Sequence, residues 1–275
     1  MDAFLLDEGL QQALHQAVLL AALVAARLLP MVYVVPFLGG PVVPHTVKMG
    51  LALALTILVY PAVWFGGGAA AIPDDPMTLG FLILKELFVG FTLGYVCALS
   101  FDALRIAGQI IDNTAGLTQA TTLVPQLPDR ISPTSNFLYQ LGIVIFFAIG
   151  GHALFLWALM HSFEVLPPTE FFAVGAAAHE AAALVLDLTA RAIALGVLLS
   201  FPVLATTFLV NLFLALVNRS APQINVFFLG MPLKAVLSSA VVLLSLEVLL
   251  GRFSQMVLDD LEALLTLIEL TGGAP

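Results

Sequence analysis

His179-Glu180 opens like the first half of a zinc-protease helix, where two histidines four residues apart and a glutamate converge on one metal ion. The chain continues Ala181-Ala182-Ala183, so the second histidine of H-E-x-x-H is missing. There is no G-x-S-x-G elbow, no phosphate loop and no G-x-G-x-x-G turn. His15, His45, His152, His161 and His179 lack ligand spacing and read as packing or helix-end residues. Cys97 is the only cysteine, which excludes a disulfide within the chain and a cysteine metal site. These residues point away from catalysis, and no enzyme activity, metal or cofactor is expected. The remaining chemistry lies in charges set among apolar residues, where they are costly and often functional. Glu180, Asp187 and Arg191 fall at i, i+7 and i+11, within about 40° of one another on a helix, and Asp187 and Arg191 form a favourable i,i+4 pair. Such a buried charge stripe serves as a proton or ion path, as in a secondary transporter, or is an internal ion pair or a face turned to polar groups of a neighbouring subunit. Lys85 and Glu86 are adjacent, diverge on a helix, and read as two separate interfacial contacts. Arg27 and Glu247 sit near span ends, Arg27 within snorkelling reach of the interface. Gly90-x-x-x-Gly94 fits a close helix–helix contact.

The elements that carry these residues follow from composition. Of 275 residues, 61% are hydrophobic and 10% charged, with a mean hydropathy of +1.07. Too few charges remain to coat a water-soluble domain. Nine basic against eighteen acidic residues give a net charge of -9, opposite in sign to what nucleic acid binding requires. The chain reads as an all-α integral membrane protein. Its acidic first twelve residues do not resemble a secretory signal, so the first hydrophobic helix is expected to be retained. Six regions are long and apolar enough to span: Leu14–Val35, Val47–Phe65, Leu79–Phe101, Asn136–Met160, Phe171–Val217 and Val226–Leu250. Proline and glycine clusters separate most of them. The fifth is too long for one span and contains Pro202, so it is either one bent helix or two. Taken as one, it gives loops whose basic residues alternate and place the N-terminus outside. Arg252–Leu270 has an apolar side and an acidic side, and reads as an amphipathic helix that docks on a partner protein.

Two polar interruptions stand out. Arg105–Gln126 carries Gly108, Asn113, Thr114, Gly116, Thr118, Gln119, Thr121 and Thr122 directly between spans. It is either a pore-lining or gating loop or an extramembrane loop with a short helix. Asn218–Lys234, NRSAPQINVFFLGMPLK, sets Pro222 and Pro232 around Phe227-Phe228, a pattern for a rigid interhelical turn.

The second segment resembles the N-R-x-A-P-Q signature of the type III secretion export-apparatus family called FliR in flagella and SctT in injectisomes. It does so through Asn218, Arg219, Pro222, Gln223, Asn225, Phe227, Pro232 and Lys234. Arg105–Gly116 is similar to the family's R-x-A-G segment, and Gly150-Gly151-His152 and Val35-Pro36-Phe37 match further regions in order. The resemblance implies a non-enzymatic structural subunit of an export gate. Its fold would fuse the folds of two smaller partners, with residues 1–170 SctR/FliP-like, 171–250 an SctS/FliQ-like hairpin, and 251–275 the acidic tail. It implies a plug at residues 108–124 and packing against SctR/FliP-like and SctS/FliQ-like subunits. SctU/FlhB-like and SctV/FlhA-like components, a needle or rod adaptor, exported polypeptides and membrane lipid are the further partners. The location implied is the bacterial inner membrane, multi-pass, with much of the mass raised toward the periplasm. Met231-Pro232-Leu233-Lys234 and Ile111-Asp112-Asn113 lean to the injectisome branch, while Gly151-His152 is closer to the flagellar one.

Overall fold

The computed structural model describes residues 2–40, 43–68, 72–73, 75–117, 132–172, 176–223 and 225–272. Among them there is no strand, and the chain is an integral membrane protein of long apolar helices. In order these are α1 (Asp2–Val34), the short α2 (Pro36–Gly39), α3 (His45–Val63), α4 (Pro76–Ala115), α5 (Pro133–Ala148), α6 (Gly151–Val165), α7 (Ala176–Ser220) and α8 (Val226–Gly272). The boundaries follow the expected breakers. Val35 precedes Pro36 and turns extended, at φ −66° and ψ 123°, as the residue before proline must. Beyond Pro61, α3 loosens into a π-helical turn at Trp64–Gly68. Asp75 caps α4: its carboxylate accepts from the Thr78 N–H at 3.1 Å and the Thr78 hydroxyl at 2.8 Å. Those bonds hold the Asp75 carboxyl below its ordinary range. Pro133 opens α5 at a position where its missing N–H costs nothing. Between α5 and α6 the chain turns through Gly150 at φ +77°.

Two expectations resolve here. The overlong fifth region is one helix, α7, running through Pro202. The C-terminal amphipathic stretch is not a separate element. With only Gly251 and no proline between Leu250 and Leu270, α8 continues without a break to Gly272.

The helices form two compact units. The first comprises Met1–Ala98, Gly151–Asp187 and Asp259–Pro275; the second comprises Leu99–Gly150 and Leu188–Leu258. In the first unit α1 packs on α3 and on the front of α4. Gly90 and Gly94 both face α1, as the small-residue spacing anticipates, and a Cβ on Gly90 would drive into the Arg27 main chain. Gly90→Ala is therefore expected to lower stability by about 1–2 kcal/mol, because backbone cannot yield as a side chain can. Denaturant titration in detergent checks this, and an unchanged midpoint would show that α1 and α4 do not meet at Gly90. In the second unit the fully buried Phe101 contacts the rings of Tyr139, Phe146 and Phe253. Outside these cores, α7 and α8 leave large apolar side chains uncovered, Leu244 to 85% and Phe228 to 67%. That surface needs lipid or another chain.

Candidate functional site

In the second unit, the two polar interruptions singled out in the sequence line one cavity of about 310 Å³. The end of α4 brings Asn113, Thr114 and Gly116; α7 brings Asn211 and Asn218; the start of α8 brings Phe227 and Lys234. Local bonds shape the walls. The Thr114 hydroxyl donates back to the carbonyls of Ile110 and Ile111, at 2.9 and 3.1 Å, and so stays on its own helix. The Asn225 side-chain oxygen accepts from the Phe227 N–H at 3.2 Å, an Asx turn that starts α8. Lys234 is half-buried. Arg219, Pro222, Gln223 and Pro232 are exposed and do not line the cavity. Thr118, Gln119, Thr121 and Thr122 lie outside the described residues. Asn211 was not singled out by sequence reading, for a lone asparagine inside an apolar run carries no motif.

The first interruption begins differently from the irregular segment its composition suggests. Residues 105–115 complete α4. Their small and polar side chains are there to meet the start of α5. Gly108 lies so close to Ser135 that a Cβ would clash with the Ser135 backbone. Asp112, fully buried, accepts from the Thr134 N–H at 3.1 Å, the Ser135 N–H at 3.3 Å and the Ser132 hydroxyl at 2.5 Å. It is a carboxylate supplied by one helix to the open N-terminal amides of another. The Ser135 hydroxyl donates to the Arg105 carbonyl at 3.1 Å, and the Arg105 guanidinium lies 4.7 Å from the Tyr139 ring centre. Asp112 and Ser132 thus fasten together the two ends of the intervening segment.

A second constellation, in the first unit, overturns two expectations. Arg27 does not snorkel and Lys85 and Glu86 do not make separate interfacial contacts: all three are buried together. The Arg27 guanidinium forks onto the Glu86 carboxylate, with Nη2 to Oε1 at 2.9 Å, and donates to the Ser162 and Leu166 carbonyls, both at 2.8 Å. The Phe163 ring centre lies 4.1 Å from its central carbon. Lys85 donates to the carbonyls of Pro167 at 3.0 Å and Glu170 at 2.8 Å and pairs with Glu86 at 2.6 Å. The reason is reach: a 100° divergence on α4 is bridged by long side chains once α1 and the turn after α6 close around them. The two cations bind carbonyls at the end of α6 and in the proline-rich turn that follows it.

Glu180, Asp187 and Arg191 lie on α7. On this chain all three side chains are exposed, so the chain itself does not bury them.

These helices and sites can be set beside known proteins. The family model described as bacterial export proteins, family 1, matches residues 18–259. The Yop proteins translocation protein T of Yersinia pestis is 33% identical over 225 residues, covering 81% of this chain and 84% of that one. The flagellar biosynthetic protein FliR of Caulobacter vibrioides is 31% identical over 230 residues, covering 84% and 89%. The secretion system apparatus protein SsaT of Salmonella typhimurium is 28% identical over 243 residues, covering 88% and 92%. The two segments that meet at the cavity are those on which the resemblance to FliR and SctT rests, and the chain belongs to bacterial export proteins, family 1.

Proposed function

We propose that the chain is a structural subunit of a type III secretion export gate. It forms part of the closed portal through which unfolded proteins cross the bacterial inner membrane. The observation that carries this reading is the convergence, around one polar cavity, of the end of α4 and the Asn218–Lys234 turn. A segment rich in small and polar residues, fastened at its base by Asp112, suits a closure that must yield to a passing chain. The names of its relatives, in Yop translocation, flagellar biosynthesis and secretion apparatus, agree with this assignment.

In this reading residues 1–170 act as an SctR/FliP-like part, 171–250 as an SctS/FliQ-like hairpin, and 251–275 as a docking tail. Residues 108–124 contribute the plug. The uncovered apolar faces of α7 and of α8 beyond Gly230, with the exposed stripe of Glu180, Asp187 and Arg191, pack against SctR/FliP-like and SctS/FliQ-like neighbours. SctU/FlhB-like and SctV/FlhA-like components and a needle or rod adaptor complete the assembly, in an injectisome. The transporter alternative loses ground, because a proton path made by this chain alone requires the stripe to be enclosed.

Deleting Thr118–Thr122 spares α4 and the Asp112 fastening. The assembled complex is then expected to conduct ions across a planar bilayer while the parent complex stays closed. Equal conductance would remove these residues from the plug. A stable monomer that supports secretion without partner subunits would remove the gate assignment itself.

A further inference from the structure

We infer that the cavity at the α7–α8 turn binds the phosphate headgroup of an anionic phospholipid. Asn113, Asn211, Asn218 and Lys234 converge on it, and none of the four side chains is hydrogen-bonded among the described residues. Asn113, Asn211 and Asn218 are exposed and Lys234 is half-buried, so all four groups are open to a ligand from outside the chain. An ammonium and three carboxamides offer one positive charge and several N–H donors, which suit the two unesterified oxygens of a phosphodiester. The carboxamide oxygens can also accept from a headgroup hydroxyl, so phosphatidylglycerol fits better than a headgroup carrying its own cation.

Charge distribution points the same way. The second unit holds six of the nine basic residues but only four of the eighteen acidic ones. No Asp or Glu lies between Asp187 and Glu247, while Arg191, Arg219 and Lys234 do. Basic pockets between spans on the positively flanked side of a membrane are where anionic headgroups settle. The neighbouring surface suits the rest of the lipid: Phe227, Phe228 and Leu229 are 60%, 67% and 49% exposed at the start of α8. The headgroup sits in the cavity and the acyl chains lie along this apolar edge. Asn113 also lies in the segment assigned to the plug, whereas Lys234, on which binding is read, does not.

Lys234 makes the test simple. The chain has three lysines, and Lys48 and Lys85 are buried, so amine acetylation of the folded protein reads Lys234 against two internal standards. The full chain in mild detergent is titrated with dioleoyl phosphatidylglycerol, dioleoyl phosphatidylcholine or inorganic phosphate. Phosphatidylglycerol is expected to slow Lys234 acetylation about tenfold, at concentrations where phosphatidylcholine does not. Asn218→Asp, which puts a like charge against the phosphate, is expected to abolish that protection. Lys48 and Lys85 remain slow in the variant if it is folded. Equal protection by both lipids, or by neither, overturns the inference. Protection by inorganic phosphate equal to that by phosphatidylglycerol reassigns the site to a free anion and overturns the lipid.

Discussion

Glu86→Ala is expected to cost about 3–5 kcal/mol, the largest loss for any single replacement in this chain. Glu86 is the only carboxylate of the buried cluster, and it accepts from both Arg27 and Lys85. Removing it leaves two buried cations whose remaining counter-charge is the exposed Glu170 carboxylate beside Lys85. The carbonyls of Ser162, Leu166, Pro167 and Glu170 still accept from them, but a carbonyl dipole does not neutralise a charge. Glu86→Gln keeps the shape and one acceptor oxygen yet still removes the charge, so its loss is smaller and of the same sign. Arg27→Lys preserves charge and loses the fork, so Ser162, Leu166 and Glu86 cannot all be reached by one ammonium. The order expected from detergent-unfolding midpoints is parent, then Arg27→Lys and Glu86→Gln, then Glu86→Ala. A loss under about 1 kcal/mol for Glu86→Ala would mean that water reaches the cluster.

Asp112→Ala is expected to cost about 2–3 kcal/mol, because a buried carboxylate with three donors is replaced by nothing. The donors include main-chain N–H groups at the start of α5, which then stay unsatisfied. The damage should be local. Hydrogen exchange should quicken at Thr134 and Ser135 before it changes in the Phe101 core. Asp112→Asn can still accept at one oxygen and should retain part of the protection, losing the charge that favours the α5 N-terminus. Uniform loss of protection across the second unit would indicate that Asp112 supports the core rather than the loop base.

Much of the fold is legible without coordinates. Apolar runs of about 20 residues and their proline and glycine separators mark five spanning helices. The fourth region expected, Asn136–Met160, is instead broken at Gly150 into α5 and α6, because a lone glycine pair inside an apolar run gives no clear stop signal. What periodicity cannot supply is the partner of each polar residue. Arg27 reads as a snorkelling cation because its neighbours in sequence are apolar, whereas its partners arrive from α4 and the turn after α6. Lys85 and Glu86 read as diverging because an angle on a helical wheel ignores side-chain length. Residues 105–115 read as irregular because Gly108, Asn113 and Thr114 have weak helix propensity, yet close packing on α5 overrides that propensity. At the candidate site, the sequence marks both walls of the cavity through separate motifs. It does not reveal that they share one space, nor that Asn211 joins them.

The buried cluster also sets a schedule for making the protein. Arg27 leaves the ribosome 59 residues ahead of Glu86, 135 ahead of Ser162 and 139 ahead of Leu166. During that interval the first span carries a guanidinium with no counter-charge, at a cost of up to about 2.5–3.5 kcal/mol within the hydrocarbon. The long apolar stretch Leu10–Val34 lets α1 insert regardless. The charge is neutralised only when α4 inserts beside it, and the guanidinium is fully bonded only after α6 has been delivered. The membrane therefore receives a provisional α1 first, and the final seat of that helix is fixed from the far end of the chain.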